Sequence, residues 1–224
     1  MSLLASREAY RLWAPTYEAG NPVTTLEQEL VLRLGPSPGR LRLLDAGCGT
    51  GWRLAEAGAA SAVGVDLSPE MLEIGRANPR CACAELIEGD LRALPVPSHS
   101  FDLVWCRLAI GYLAELPLAF TELARAAAPG ADVVVTEFHP AALAAGHRRT
   151  FRTNDRVHEV RTYQHSEEQL VAAAGHAGLS LRARAEAAIG PQVRQFYRRA
   201  GREDLYREHR GLPLVLGLRF TRDG

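Results

Sequence analysis

A short buried strand that runs into alternating glycines places the strongest constraint on the fold of this chain. The segment 41–51 reads LRLLDAGCGTG, in which an apolar run ends at Asp45. Gly47, Gly49 and Gly51 follow. Glycines let a backbone turn tightly and approach a ligand without a β-carbon clash. With the start of the next helix they offer amide donors and a positive dipole end, so the segment predicts a ligand-binding turn.

Strand and helix patterns alternate from this turn through position 138. Amphipathic helical patterns separate apolar segments that are typical of buried strands, at 41–46, 62–66, 81–90, 101–106 and 131–138. Such alternation predicts parallel strands joined by right-handed crossovers, in a doubly wound α/β sheet. The ligand of such a sheet binds at the carboxyl ends of the strands, where the glycine turn lies.

Acidic residues end the next two predicted strands. Asp66 follows the second strand and Asp90 follows the third. A carboxylate at the end of the second strand can accept two hydrogen bonds from a ribose diol. Helix capping is the other interpretation of Asp66, although Ser68 already holds the capping position. Together with the glycine turn, these acids indicate a sheet edge that binds a nucleoside-shaped ligand.

The spacing of the glycines separates two classes of nucleoside cofactor. The dinucleotide-binding fingerprint is GxGxxG, whose last glycine allows close packing of the helix. This chain has GxGxG, followed by Trp52 and Arg53. A tryptophan at that place is hard to fit beside a pyrophosphate, so the pattern disfavours a nicotinamide dinucleotide.

Four segments in register resemble the class I S-adenosylmethionine-dependent methyltransferases. They are LLDAGCGTG, VGVDLSPEMLEIGRA, EGDLRALPVPSHSFDLVWC and LARAAAPGADVVVTEF, within residues 41–138. YRLWAPTYE (10–18) is similar to the YxxWAxxYD helix of small-molecule members, the methyltransferase type 11 group related to ubiquinone and menaquinone biosynthesis. The resemblance implies a Rossmann-like, seven-stranded sheet of order 3-2-1-4-5-7-6, with strand 7 antiparallel.

The segments outside the alternating core are expected to cover the active site. One domain is expected over 1–224, with an N-terminal helical cap (1–35) and a small insertion after strand 5 (139–165). Helices are predicted over 2–12 and 24–34, the second with a threonine cap. The insertion contains a possible hairpin around Asn154–Asp155. Its polar residues are expected to form a solvated cap: His147, Arg148, Arg149, His158, Tyr163 and His165.

The resemblance implies that residues at the strand ends bind S-adenosyl-L-methionine. Asp45 matches the motif acid that supports the turn or reaches the methionine amino group. Asp66 matches the ribose ligand, and Asp90 matches the acid at the adenine edge. The other implied cofactor-binding residues are Tyr10, Tyr17, Ala46, Gly47, Cys48, Gly49, Gly51, Leu67, Leu91, Cys106 and Arg107. For Tyr10 and Tyr17, a role as core aromatics is an equal alternative.

Two residues near the expected methyl group are candidates for catalysis. Methyl transfer from a sulfonium is an in-line displacement, so the protein mainly aligns donor and acceptor. An acceptor that must lose a proton also needs a general base, and His139, after strand 5, is expected to serve. A loop histidine bonded to the backbone is the alternative. Tyr112, after strand 4, either contacts the acceptor or the methyl donor, or only packs against the next helix.

The expected activity is methyl transfer to O, N or C of a small-molecule acceptor. A peptide or protein methyltransferase, or a non-catalytic S-adenosylmethionine-binding scaffold, are the alternatives. No HxH or HxxxH spacing occurs, so no metal site is expected. The 26 basic and 26 acidic side chains cancel, which argues against nucleic-acid and membrane partners. Without a signal-peptide pattern, a cytoplasmic protein is expected, and its oligomeric state is left open.

Overall fold

Strand and helix alternate along most of the chain. The computed structural model describes residues 2–154 and 156–224. The described residues form the strands β1 (Ser2–Leu4), β2 (Arg42–Ala46), β3 (Ser61–Asp66), β4 (Ala84–Glu88), β5 (Phe101–Arg107), β6 (Ala127–Phe138), β7 (Thr150–Thr153), β8 (Arg156–Val160), β9 (Leu179–Ala188) and β10 (Pro213–Arg222). They form the α-helices α1 (Ser6–Trp13), α2 (Pro22–Leu34), α3 (Trp52–Ala57), α4 (Pro69–Ala77), α5 (Pro117–Ala126), α6 (Pro140–Ala144), α7 (Glu167–His176), α8 (Arg194–Arg199) and α9 (Glu203–His209). Within these described ranges, no helix has the length and apolar character of a membrane span.

A sheet of seven strands organises the molecule. Its order is β4-β3-β2-β5-β6-β10-β9. The pairs among β2 to β6 are parallel, whereas β10 is antiparallel to both of its neighbours. Counted within the sheet, this is the predicted order 3-2-1-4-5-7-6 with an antiparallel seventh strand, so the prediction is confirmed. The turn after β2 opens where the strand order reverses, which is the ligand-binding place in such sheets.

Helices pack on both faces of the sheet and bury its apolar side chains. On one face α2 lies so close to β10 that a Cβ added to Gly217 would clash with Leu30 Cδ2. On the other face Phe120 of α5 packs edge-on against Phe220, with ring centroids 6.2 Å apart. All three side chains are fully buried, and each such burial contributes about 1.5–3 kcal/mol.

The N-terminal segment is a strand before it is a helix, which corrects the helix predicted over 2–12. β1 pairs in parallel with β8, and the Ser2 hydroxyl lies 2.7 Å from His158 Nδ1. Pairing with β8 satisfies backbone groups that the first turn of a helix would leave without partners. The helix therefore begins only at Ser6.

Two other helix ends also differ from the sequence expectation. Asn21, and not Thr24, is the N-cap of α2, because Pro22 suits the first helical position. The Asn21 side chain accepts from the Thr24 amide at 3.0 Å, and the Thr24 hydroxyl accepts in return at 3.3 Å, which is a capping box. α5 ends at Ala126, before the Pro129-Gly130 pair that would stop a helix, because the pairing of β6 with β5 already begins at Ala127.

The insertion contains the predicted hairpin, and the N-terminal segment pairs with it. β7 and β8 are antiparallel, and β1 joins them in a three-stranded sheet of order β1-β8-β7. The turn prediction included Asp155, which lies outside the described residues. Ala9 of α1 packs against Phe151 and Val160 of the hairpin. The two segments expected to cover the site are thus in contact with one another.

Candidate active site

An open cavity of about 290 Å³ lies at the carboxyl ends of β2, β3, β4 and β5. Its wall comes from the loops that follow these strands and from the N-terminal segment. Ten residues predicted to form the site line it: Tyr10, Tyr17, Gly47, Gly49, Asp66, Leu67, Asp90, Leu91, Arg107 and Tyr112. The topology therefore gathers residues that are far apart in the sequence at one edge of the sheet.

The turn after β2 is a cradle that only glycine can build. Gly47 has a φ of +86°, and a Cβ there would lie 2.5 Å from the Ala109 Cβ. Gly49 has a φ of +61°, and its Cβ would lie 3.4 Å from the Tyr17 ring. Positive φ is unfavourable for other residues, and the missing side chains leave room for a ligand beside the backbone.

Asp66 supports the cradle and lines the cavity. One of its oxygens accepts from the Gly49 amide at 2.7 Å, and the other accepts from the Ser68 amide at 2.9 Å. Burial raises the pKa of this carboxyl, and the two amides oppose the shift by stabilising the carboxylate. A carboxylate can accept about four hydrogen bonds, so capacity remains for the ribose diol implied by the resemblance. Ser68 caps α4 as predicted.

Asp90 and Leu67 offer the kind of surface that a planar base requires. Leu67 is 40% exposed although it is apolar, and it lines the cavity. Asp90 lies in the same wall, where Arg92 hydrogen-bonds to both carboxylate oxygens. Those hydrogen bonds lower the pKa of Asp90 and keep the acid ionised as an acceptor.

Asp45 is a buried carboxylate without a hydrogen-bond donor. Neither of its oxygens has a partner among the described residues, and the residue is fully buried. Burial raises the pKa of Asp45 to about 6, although the nearby Arg53 and Arg107 oppose this shift. A buried carboxylate left in this state is costly, and an ammonium group or an ordered water would satisfy it. The cradle, Asp66 and this orphaned acid together fit S-adenosylmethionine. Asp45 itself does not line the cavity, so it would reach the ammonium group through an ordered water.

Replacing Asp45 with Asn should stabilise the free protein at pH 8 while weakening its cofactor binding. The folded state binds the Asp45 proton more tightly than the unfolded chain, whose pKa is near 3.8. Unfolding free energy is therefore lost as pH rises from about 4 to 6, by up to about 3 kcal/mol, and Asp45→Asn removes this loss. Urea unfolding at pH 4 and pH 8 measures the effect. Calorimetry at pH 8 should show affinity for S-adenosylhomocysteine falling about tenfold or more.

Asp102→Asn provides a control of opposite sign for this measurement. Arg42 hydrogen-bonds to the Asp102 carboxylate and lowers its pKa to about 2. Its contribution to stability is present above the unfolded pKa, so Asp102→Asn should lower stability at pH 8. If the unfolding free energies of wild type and Asp45→Asn depend on pH in the same way, Asp45 does not have the raised pKa given above.

Several predicted site residues support the cavity without lining it. Ala46, Cys48 and Cys106 are fully buried beneath the strand ends. Gly51 is the N-cap of α3, and a Cβ there would lie 2.9 Å from Leu86 Cδ2. These residues are positioned by packing between the sheet and its helices, so their side chains have no access to a ligand in the cavity.

His139 is the N-cap of α6 and does not line the cavity. Its Nδ1 accepts from the Ala141 amide at 3.1 Å, and its Nε2 lies 2.9 Å from Glu186 Oε1 on β9. Both ring nitrogens are therefore engaged outside the cavity. This geometry matches the alternative of a loop histidine bonded to the backbone, and its role as a base stays an untested prediction.

Tyr10, Tyr17 and Tyr112 form one part of the cavity wall, and Trp13 and Phe151 pack behind them. Tyr10 stacks on Trp13, with centroids 5.6 Å apart, and Trp13 stacks on Phe151 of the hairpin at 5.0 Å. Tyr10 also meets the rings of Tyr17 and Tyr112 edge-on, at 5.7 Å and 5.5 Å. The three tyrosines line the cavity, so the N-terminal segment contributes two aromatic side chains to its wall.

Sequence reasoning missed the buried charges behind the cavity. Glu27 is completely buried and binds Arg107 through two short hydrogen bonds. Its position three residues before Leu30, on the apolar face of α2, was the available signal. Arg149 was expected in a solvated cap, but its side chain is only 10% exposed. No local pattern distinguishes it from the neighbouring Arg148.

Comparisons with known proteins agree with this geometry. A model of the methyltransferase domain matches residues 44–135. A malonyl-[acyl-carrier protein] O-methyltransferase of Dechloromonas aromatica is 30% identical over 200 residues, which cover 86% of this chain and 73% of that protein. Another of the same name, from Erwinia pyrifoliae, is 44% identical over 96 residues, but the match covers 42% of this chain and 36% of that protein. This chain therefore spans only about a third of some curated relatives.

A solved structure shares the fold. An S-adenosylmethionine-dependent methyltransferase from Mesorhizobium loti aligns with a TM-score of 0.69 and 24% identity, over 88% of this chain and 98% of that one. At this identity the likeness shows the fold, whereas the Dechloromonas relative shows the family. With the glycine cradle, the strand-end acids and the confirmed strand order, the chain belongs to the class I S-adenosylmethionine-dependent methyltransferases.

Proposed function

We propose that this protein transfers the methyl group of S-adenosylmethionine to a carboxylate oxygen of a small acyl acceptor, and so forms a methyl ester. The finer assignment, to a malonyl group or a similar acid held as a thioester, is suggested by the names of the relatives. The observation that carries the proposal is that the described residues around the cavity include no free base.

Among the described residues that line the cavity there is no histidine. Burial raises the pKa of the Tyr17 and Tyr112 hydroxyls well above the usual value, so neither accepts a proton near neutral pH. Asp66 is engaged by backbone amides, and Asp90 is engaged by Arg92. A wall of this kind suits an acceptor that arrives without a proton to lose.

A carboxylate is such an acceptor, because its pKa of about 4 leaves it ionised at neutral pH. Its oxygen forms the new O–C bond as the C–S bond of the bound sulfonium breaks, the electron pair of that bond passes to sulfur, and no proton is released. The chain's own residues therefore have to bind, orient and exclude water. Proximity and orientation can supply about 7–11 kcal/mol of the barrier.

The test is the chemical stability of the transferred label. Wild-type protein, methyl-labelled S-adenosylmethionine and the N-acetylcysteamine thioester of malonic acid should give a labelled product. Mild alkali should release that label as methanol, because methyl esters hydrolyse under conditions that leave N-, C- and ether-linked methyl groups intact. His139→Ala should keep turnover within a few-fold of wild type, since a carboxylate needs no base.

Other results would redirect the proposal. An alkali-stable label in extracts of the source cell, with none on the malonyl thioester, would indicate an N-, C- or ether-forming methyltransferase. If His139→Ala lowers turnover by about 10²–10⁴-fold, His139 acts as a general base and the acceptor loses a proton. Binding of S-adenosylhomocysteine with no transfer to any acceptor pool would favour the scaffold alternative.

A further inference from the structure

Two tyrosine hydroxyls meet in the wall of the cavity. The oxygens of Tyr10 and Tyr112 lie 2.5 Å apart, and both side chains line the cavity. Tyr112 ends the short turn Ile110–Tyr112, directly after the Ala109 side chain that abuts the Gly47 cradle. The hydroxyl pair is thus connected to the cofactor cradle through one short stretch of backbone.

Arg149 lies behind this pair, in surroundings that exclude most water. Its guanidinium carbon lies 4.9 Å from the centroid of the Tyr112 ring and 5.1 Å from that of the Phe138 ring. Its Nη1 lies 3.4 Å from the Tyr10 oxygen. A cation so placed acts on the hydroxyl pair with little screening, because the local dielectric is low.

The buried cluster around Arg149 has more donors than acceptors. Glu137 already accepts from the amides of Gly111 at 2.7 Å and Phe138 at 2.8 Å. Its contact with Arg149 Nη2 is longer, at 3.5 Å. The Nε atom of Arg149 is buried without a partner among the described residues. Since a guanidinium has five N–H donors and no acceptor, the cluster keeps an excess of positive charge beside the hydroxyl pair, and a wall of this kind favours an anionic ligand on the cavity side of the hydroxyls.

We propose that the Tyr10–Tyr112 hydroxyl pair, polarised by Arg149, is the anion-recognition site for the acceptor's carboxylate. The inference rests on the carboxyl methylation proposed above and names the residues that select its acceptor. One hydroxyl donates to the other, and the remaining O–H donates to one carboxylate oxygen in the cavity. The second carboxylate oxygen stays free to attack the methyl group. Arg149 acts through the hydroxyls and is a positioning residue.

The hydroxyls are suited to this role because they remain donors. Burial keeps the pKa of Tyr112 well above its usual value, so the phenol does not ionise in competition with the acceptor. Hydrogen bonds to an ionised acceptor are about twice as strong as neutral ones, and polarisation by a cation strengthens a chain of them. The site should therefore prefer a carboxylate to the amide of the same shape.

Binding with S-adenosylhomocysteine present tests the site without turnover. Calorimetry compares the N-acetylcysteamine thioesters of malonic acid and of malonamic acid, which carry a carboxylate and a neutral amide. The variants are Arg149→Met, Arg149→Lys and Tyr112→Phe. Arg148→Met is the matched control. The Arg148 side chain is 41% exposed, it donates to the carbonyls of Leu143 and His147, and its Nε lies 3.9 Å from Glu159 Oε1, so the substitution removes the same charge without touching the hydroxyl pair.

Wild type should bind the acid at least tenfold more tightly than the amide. Arg149→Met and Tyr112→Phe should each weaken acid binding about 10- to 100-fold and leave amide binding nearly unchanged. Arg149→Lys should recover part of the loss, because it keeps the charge but not the planar fork. In turnover, the loss should appear in KM, with kcat within a few-fold of wild type.

Affinity for S-adenosylhomocysteine should stay within about threefold of wild type, which shows that each variant is folded. If Arg149→Met fails this check, Tyr112→Phe, which keeps the ring, carries the test. Equal wild-type affinity for acid and amide, or an acid affinity unchanged in both Arg149→Lys and Tyr112→Phe, would overturn the inference. A base-labile product that forms equally well in these variants would leave the proposed function intact, whereas absence of that product in wild type refutes the function itself.

Discussion

Gly47→Val should reduce the affinity for S-adenosylhomocysteine by about 100-fold or more. A β-carbon at this position would lie 2.5 Å from the Ala109 Cβ, at a φ of +86°. Overpacking costs about 1–3 kcal/mol, and a left-handed backbone costs a β-branched residue at least a further 1–2 kcal/mol. Because Gly47 donates to Val65 O at 2.7 Å, the turn can relieve the clash only by leaving the end of β3. Calorimetry measures the loss.

Gly58→Ala is the matched control for the cradle. Gly58 also has a positive φ, of +61°, but a Cβ there would meet no atom of the described residues within 4 Å. The strain of about 1–2 kcal/mol should lower stability while cofactor affinity stays unchanged. Equal affinities for Gly47→Val and wild type would remove this turn from the cofactor site.

Glu27→Ala should lower the free energy of unfolding by about 3–5 kcal/mol, the typical cost of removing one partner from a buried ion pair. Glu27 is fully buried on α2. It accepts from Arg107 Nε at 2.8 Å and Nη2 at 2.7 Å, and Arg53 Nη2 lies 3.7 Å away. The arginines lower the pKa of Glu27 against the opposing effect of burial, which by itself raises it. Without Glu27, two buried guanidinium groups lose the carboxylate that pairs with them.

Urea unfolding at pH 7 measures this effect. Glu29→Ala, on the exposed side of the same helix, should change stability by less than about 0.5 kcal/mol. Since Arg107 also lines the cavity, Glu27→Ala should weaken cofactor binding as well. If Glu27→Ala loses no more stability than Glu29→Ala, the ion pairs of Glu27 make no net contribution to the free energy of unfolding.

The central sheet and the cofactor cradle could be predicted because their signals are local and repeated. Each strand is a short apolar run, each crossover helix has an apolar stripe, and Asp66 and Asp90 stand at strand ends. Where several residues near a helix end could cap it, only the predicted boundary was wrong. For example, Asn21 and Pro22 begin α2 ahead of Thr24. The segment 2–4 was misjudged for another reason, because its partner, β8, lies more than 150 residues away along the chain.

The acceptor side of the site could not be predicted in the same way. His139 stood at the expected place after β6, but Glu186 on β9 and the start of α6 engage both of its nitrogens. Arg149 resembled Arg148 in sequence, yet the two differ in burial. A base or an anion site depends on which groups surround a side chain, and those neighbours come from other elements.

The sequence by itself determined the doubly wound sheet, the glycine cradle and the acids at its edge, because periodicity and spacing within one strand–turn–helix unit specify them. Only the tertiary structure decided which charges are buried and what they meet. Arg149 lies 139 positions from Tyr10 and Glu27 lies 80 from Arg107. Contacts over such separations form when helices and strands pack, and the cost of burying a charge depends on the neighbours that packing brings.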